Sequence, residues 1–340
     1  VSLPVDPTAC SNLVHAGRAA DLARFRQPVL LGLVATEEEF DWSAPFSRRE
    51  TSTRAIDDLH LAQALFEEAG IVPTYALDYP VASQRGATFR PWLERGAAEV
   101  GAHLHPWVNP PHDEVVSDLN SFPGNLPPAL EFEKLKHLVA AIESGTGQRP
   151  RVYQAGRYGL APHTLEHLAA LGFRVDASVA PPFDYRREGG PNFARFPSEP
   201  YWVDRVGGLL EVPVTGAYLG RLARGGPRLY PLVRNGAMDR LRVGGMLSKL
   251  HLLERSRLSP EGHSATDMVR LVQHLARRGQ RVFTFYFHSP TLTPGCTEYV
   301  RDETDRQRFL DDARRFLDFF LGPFGGQAWS YSRLYEELAR

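Results

Sequence analysis

Residues 29–42 read Val29-Leu30-Leu31-Gly32-Leu33-Val34-Ala35-Thr36-Glu37-Glu38-Glu39-Phe40-Asp41-Trp42: an apolar run of strand length, then a cluster of carboxylates. A strand covered on both faces reads as an unbroken apolar run rather than an alternating one, the signature of a parallel sheet with helices outside it. Comparable runs recur at 74–77, 100–105, 152–155, 174–179, 209–214 and 282–288. Between them lie stretches with apolar residues at three- and four-residue spacing, at 52–69, 130–144, 163–171, 266–278 and 304–321. Strands alternating with helices of this length predict an α/β protein of parallel strands and crossover helices. About seven strands suit a distorted, incompletely closed (β/α) barrel better than a complete one of eight.

The chain has 340 residues, 43% hydrophobic and 23% charged, enough for one large barrel or for two domains. No internal repeat and no low-complexity linker divides it, which favours a single domain. Lys and Arg total 39 against 40 for Asp and Glu, so the basic excess needed to bind phosphate backbones is missing and no nucleic acid is expected as a partner. Cys10 and Cys296 stand far apart and in no CxxC pattern, which argues against a disulfide framework and for a reducing compartment. No apolar run approaches the roughly 18–20 residues of a membrane span, and the first residues show no basic segment followed by an apolar one. The expectation is a cytoplasmic protein without a membrane partner.

Four segments at strand ends carry residues suited to chemistry. Glu37, Glu38, Glu39 and Asp41 crowd the end of the first strand; they repel one another unless solvated, paired with a cation or partly protonated, although carboxylates also suit an acidic first helical turn. His103 and His105 alternate along 100–105, so an extended backbone points both to one face, where two imidazoles can grip an ion or simply fill a core. Two histidines with one acid leave a coordination position open, the form of a catalytic zinc site. The turn Ala155-Gly156-Arg157-Tyr158-Gly159 offers Arg157 to an anion or an acid, or is a plain strand-to-helix connection. His288 ends the last strand as a general acid or a core histidine, and Asp176 orients a histidine or binds turn backbone. Trp42, Trp107, Tyr158 and Phe183 lie in or beside these loops and offer aromatic faces for sugar rings, or anchor the loops.

The segments TEEEFDW (36–42), GAHLHPWVNPP (101–111), GNLP (124–127), AGRYGL (155–160), VDASVAPPFDY (175–185), LLEVPVTG (209–216), LSPEGH (258–263) and FHSPTLTPG (287–295) together resemble the NodB-type polysaccharide deacetylases, carbohydrate esterase family four, and most of all their WalW-like branch. The resemblance runs over residues 28–322. It implies residues 1–27 as an N-terminal extension, a barrel domain at 28–322, and a strand and helix at 323–340 packing on the barrel. It further implies a divalent metal, usually zinc, held by Glu37, His103 and His105, with His288 protonating the leaving amine of an acylated saccharide.

Two departures qualify the implied activity. Relatives with this first motif normally carry Asp where this chain has Ala35, and an Arg that orients that base where it has Gln154. Loss of the Asp would strand an uncompensated Arg, so a neutral Gln is a coherent companion change. Three functions follow: a metal-dependent deacetylase-like hydrolase with Glu38, Glu39 or Asp41 as base, a pseudoenzyme that binds a glycan or partner, and a divergent reaction in the same pocket. Within the first, the catalytic candidates are His288, Glu38 and Asp176, and the substrate-binding candidates are Trp42, Trp107, Arg157 and Tyr158.

Overall fold

A computed structural model describes residues 9–233 and 243–340. Its strands are β1 (Gly17–Ala19), β2 (Val29–Thr36), β3 (Thr74–Leu77), β4 (Glu99–Leu104), β5 (Val152–Ala155), β6 (Val175–Asp176), β7 (Tyr201–Val203), β8 (Leu210–Glu211), β9 (Gly216–Leu219), β10 (Glu254–Arg257), β11 (Val282–His288) and β12 (Gln327–Ala328). The main sheet runs β1-β7-β8-β6-β5-β4-β3-β2-β11, with β12 beside β2, and β9 and β10 form a separate ribbon. The stretch from β8 through β6, β5, β4, β3 and β2 to β11 is parallel throughout. These are the apolar runs expected from the sequence.

The expected count of about seven is corrected: among the described residues the main sheet has ten strands. β7 adds an antiparallel strand to β8, β1 follows it, and β12 pairs with the start of β2. Each is two or three residues long, too short to show a period, and is held by the sheet edge it meets. The free edge of β11 is covered too: Thr284 N donates to Thr215 Oγ1 at 2.8 Å and Tyr286 N to Leu258 O at 3.1 Å. Those bonds nearly close the curl without a further strand, and they satisfy backbone groups that would otherwise be buried unpaired.

Packing on β11 shows which side chains face inward. The outward set Phe283, Phe285 and Phe287 meets Phe320, Phe316 and Phe309 of the helix Glu303–Leu321, with ring centroids 5.5, 5.6 and 5.5 Å apart. A period of two on the strand thus meets helical spacing on a helix running back along it. The other parity, Thr284, Tyr286 and His288, must face the barrel interior. Asp302 caps that helix by accepting from Asp305 N. The stretch at 52–69 opens as a 3-10 turn, Arg54–Asp58, before the helix Leu59–Glu68.

Both ends of the described residues contribute to the core: Leu13 and Phe25 enter it from the N-terminal side, and Tyr331 and Leu334 of the helix Tyr331–Ala339 from the C-terminal side. No helix of the described residues is long and apolar enough to cross a membrane. Cys10 and Cys296 form no disulfide. The parallel strands deliver residues 37, 103, 105, 157 and 288 to one end of the barrel.

Candidate active site

Glu37 leaves β2 with its N–H donating to Ser289 Oγ at 3.1 Å. Its Oε2 lies 3.2 Å from His103 Nε2 and 3.5 Å from His105 Nε2. One donor atom from each of the three falls within 4.8 Å of the others, and all three residues are buried. The opposite nitrogen of each ring is already committed. His103 Nδ1 is 3.0 Å from the carbonyl of Gln154, and His105 Nδ1 is 2.8 Å from Glu38 Oε2. A carbonyl and a carboxylate only accept, so both rings donate from Nδ1 and turn a bare Nε2 toward Glu37.

That arrangement tests whether a cation fits. Burial pushes both imidazoles below their usual range, which favours the neutral form, even with Glu37 alongside. Burial works against ionising Glu37, but His288, His103 and His105 outweigh it and hold its pKa at about 2. Two neutral nitrogens and a carboxylate therefore share one small space with their lone pairs converging, a donor set complete for a divalent ion except for an open position. Gly156 makes room for the His105 ring: a Cβ there would stand 2.6 Å from His105 Cδ2.

His288 completes the site from β11, whose register sets it beside Ala35 of β2. Its Nδ1 is 2.9 Å from Glu261 Oε2 and its Nε2 2.7 Å from Tyr286 Oη. Burial alone would lower the His288 pKa, but Glu261 and then Glu37 raise it to about 9. Thr291 Oγ1 donates to Glu261 at 2.6 Å and fixes the carboxylate. Glu37, His103, His105 and His288 share a cavity of about 240 Å³, and Glu37 and His288 also line an adjoining cleft of about 940 Å³. Trp42, 53% exposed, borders both and leaves a ring free at the mouth.

Several of the expected roles are redistributed. Glu38, expected as a base, is fully buried behind His105, where it accepts from that ring while its own N–H donates to Asp78 Oδ2 at 2.6 Å. Burial and the Glu37 charge raise it to about 7, and burial and Glu38 raise Asp78 well above its usual value, so the pair retains a proton. Glu39 bonds Ser52, Arg54 and the N–H of Ala55. Asp176 lines neither cavity; it accepts from Ser178 and lies against Glu211 across the sheet. Trp107 is buried and stacks on His105, centroids 4.3 Å apart, so it backs the ring instead of offering a face to substrate. Arg157 and Tyr158 line the cavity, both at positive φ, but Glu188 holds the Arg157 guanidinium at 2.7 Å. Two consecutive non-glycine residues in the left-handed region mark backbone held in place by its surroundings.

Sequence reasoning missed Glu261 and Tyr286. Glu261 stood within the quoted LSPEGH, yet an acid flanked by Pro260 and Gly262 reads as loop polarity. Tyr286 sat within an aromatic run, and only the strand's parity turns it inward.

With this geometry established, comparison with solved structures finds the same arrangement of elements in other proteins. A putative polysaccharide deacetylase from Mycobacterium smegmatis superposes with a TM-score of 0.57 at 13% identity, over 96% of this chain and 95% of that one. The chain has the polysaccharide deacetylase fold. A probable polysaccharide deacetylase from Pseudomonas aeruginosa PAO1 gives 0.52 at 12% identity over 91% and 89%, and Puue allantoinase 0.53 at 11% over 99% and 97%. No family model and no curated protein matches the sequence.

Proposed function

We propose that this chain is a divalent-metal hydrolase that removes an acyl group from an acylated saccharide. One observation carries the reading: two bare imidazole nitrogens converge on the Glu37 carboxylate, and a protonated His288 stands across the same cavity. The fold shared with polysaccharide deacetylases supports the saccharide, as does the exposed ring of Trp42 at the cleft.

Glu37, His103 and His105 would hold the ion, zinc by the chemistry of the donors. Bound there, it would supply Lewis-acid polarisation of the acyl carbonyl. His288 carries the proton that the departing nitrogen or oxygen needs, because Glu261 keeps the imidazolium charged at neutral pH. Tyr286 Oη, 2.7 Å from Nε2, aims that ring. Glu38 and Trp107 fix His105 in its orientation and tautomer. Ala35 offers the attacking water no side-chain base, which sets the rate about 10²–10⁴ below that of a site that has one.

Ala35 also motivates a second reading, a protein that binds a saccharide without turning it over. Gln154, in register with His103, has no partner for either side-chain polar atom. Elemental analysis, followed by acetate release from a panel of acetylated glycans, separates the readings. Near-stoichiometric zinc, lost in Glu37→Ala and His103→Ala, with slow acetate release supports the hydrolase. Zinc and saccharide binding with no release supports the binding protein. Failure to take up zinc at all would overturn the hydrolase and leave the binding protein.

A further inference from the structure

Arg257 is a cation of the cavity wall for which the described residues provide no ion pair. The other cations that line the cavity are matched: Arg157 by Glu188 at 2.7 Å, and His288 by Glu261 at 2.9 Å. Arg257 Nη2 donates to Tyr185 Oη at 3.0 Å, while its Nε is buried and bonds nothing. The guanidinium is instead held between aromatic faces, 4.5 Å from the Phe183 centroid and 5.0 Å from that of Tyr158. Rings contribute only a modest cation–π attraction, less than a carboxylate would.

The surroundings fix this guanidinium in place. Arg257 ends β10, opposite Gly216 of β9. A Cβ at position 216 would come within 3.4 Å of the Phe183 ring and 2.5 Å of Pro181 O, so glycine lets the loop carrying Phe183 close on the arginine. Tyr185 stacks on both Phe183 and Tyr158, with interplanar angles of 10° and 16°. A guanidinium held in an aromatic frame without a carboxylate keeps an uncompensated positive charge in the empty protein, and an anionic ligand in the cavity would compensate it.

We propose that the acylated saccharide taken by this site carries an anionic oxygen substituent, a carboxylate or a phosphate, which Arg257 recognises. The inference rests on the saccharide reading above and names its substrate class. Arg157 cannot play this part because Glu188 occupies it. Arg257 can, because it lines the cavity without a carboxylate partner among the described residues, and a guanidinium offers an anion directed, charge-assisted donors. Arg257 is thus a specificity residue beside the ion ligands, and Tyr185 positions it.

The test is calorimetric binding of N-acetylmuramic acid, its methyl ester, N-acetylglucosamine 6-phosphate and N-acetylglucosamine to zinc-supplemented enzyme. At least one anion is expected to bind about tenfold or more tighter than its neutral counterpart. The phosphate and carboxylate arms tell which source the site takes. Arg257→Gln should erase the preference, read as the ratio of anion to neutral-sugar affinity within the same variant; Arg257→Lys, keeping charge without the fork, should retain part of it. Should Arg257→Gln fail to fold, the acid-to-ester ratio in wild type decides alone. Equal affinity for charged and neutral forms, or an unchanged preference in Arg257→Gln, overturns the inference and leaves the saccharide reading standing. No binding by any member overturns both, whereas anion-selective binding without acetate release sinks only the hydrolase.

Discussion

Restoring a base to the site is the most demanding test of the proposed chemistry. Ala35 is fully buried, in register with His288 on one side and Ala76 on the other. An Asp there would add a carboxylate close to Glu37, and the cation in register with it, His288, is already paired with Glu261. The unfavourable burial of an unpaired charge costs several kcal/mol, so Ala35→Asp alone should lower stability and hold much of its new carboxyl protonated. Gln154 is equally buried and both its side-chain polar atoms lack partners, so an arginine in its place displaces no existing hydrogen bond. The double variant Ala35→Asp, Gln154→Arg should therefore be more stable than Ala35→Asp, and its carboxylate should be ionised at neutral pH. General-base assistance is worth about 10²–10⁴ in rate, which is about 2.7–5.4 kcal/mol off the barrier. The assay is kcat/KM for acetate release from one glycan, with zinc content and thermal midpoint measured on every variant. A double variant that is folded and holds zinc, yet hydrolyses no faster than wild type, refutes the reasoning. A gain in Ala35→Asp equal to that of the double variant would refute the role given to position 154.

Three further outcomes follow from particular contacts. Glu38→Gln removes the charged acceptor that fixes His105 and should weaken zinc binding about 10–100-fold by chelator competition; unchanged affinity would mean that Trp107 stacking alone orients the ring. Lys134 Nζ binds Glu114 Oε2 at 2.9 Å and the carbonyls of Pro106, Asn109 and Pro111 at 2.9, 2.6 and 2.7 Å. Lys134→Met leaves that buried acid only Arg48, at 3.5 Å, and should cost about 3–5 kcal/mol in denaturant unfolding; a loss below 1 kcal/mol, on the order of a surface pair, would contradict it. Burial and Asp176 raise Glu211 well above its usual pKa, so the native protein holds that proton to higher pH than the unfolded chain does. With the folded pKa raised, this stabilisation is complete below the unfolded value and fades as pH rises, by about 1.4 kcal/mol per pH unit for one proton. Glu211→Gln should flatten that fall as pH rises above the unfolded carboxylate value, and identical slopes in variant and wild type would show that the pair ionises freely.

The sequence by itself was enough to place the parallel strands and to gather the candidate residues at one end of the barrel. The apolar runs at 29–34 and 282–288 read as strands of a sheet covered by helices, and the alternation of His103 and His105 follows from a period of two. Glu37, His103, His105 and His288 were legible for this reason: each ends or follows a strand, and parallel strands in register bring their ends together. Tertiary structure decided which way each neighbouring group turned. Glu37 and Glu38 are adjacent in sequence, yet one faces the imidazoles and the other lies behind them, because Asp78 anchors the Glu38 backbone. Trp107 went to the back of His105 and Arg157 to Glu188 through contacts with loops distant in the chain. Arg257 and Glu261 reach the cavity from an excursion that follows β9 and rejoins the barrel beside β11, and no local period marks that return. Periodicity reports the face that a side chain takes within its own element, whereas partners across the barrel depend on packing between elements that the chain meets only once folded.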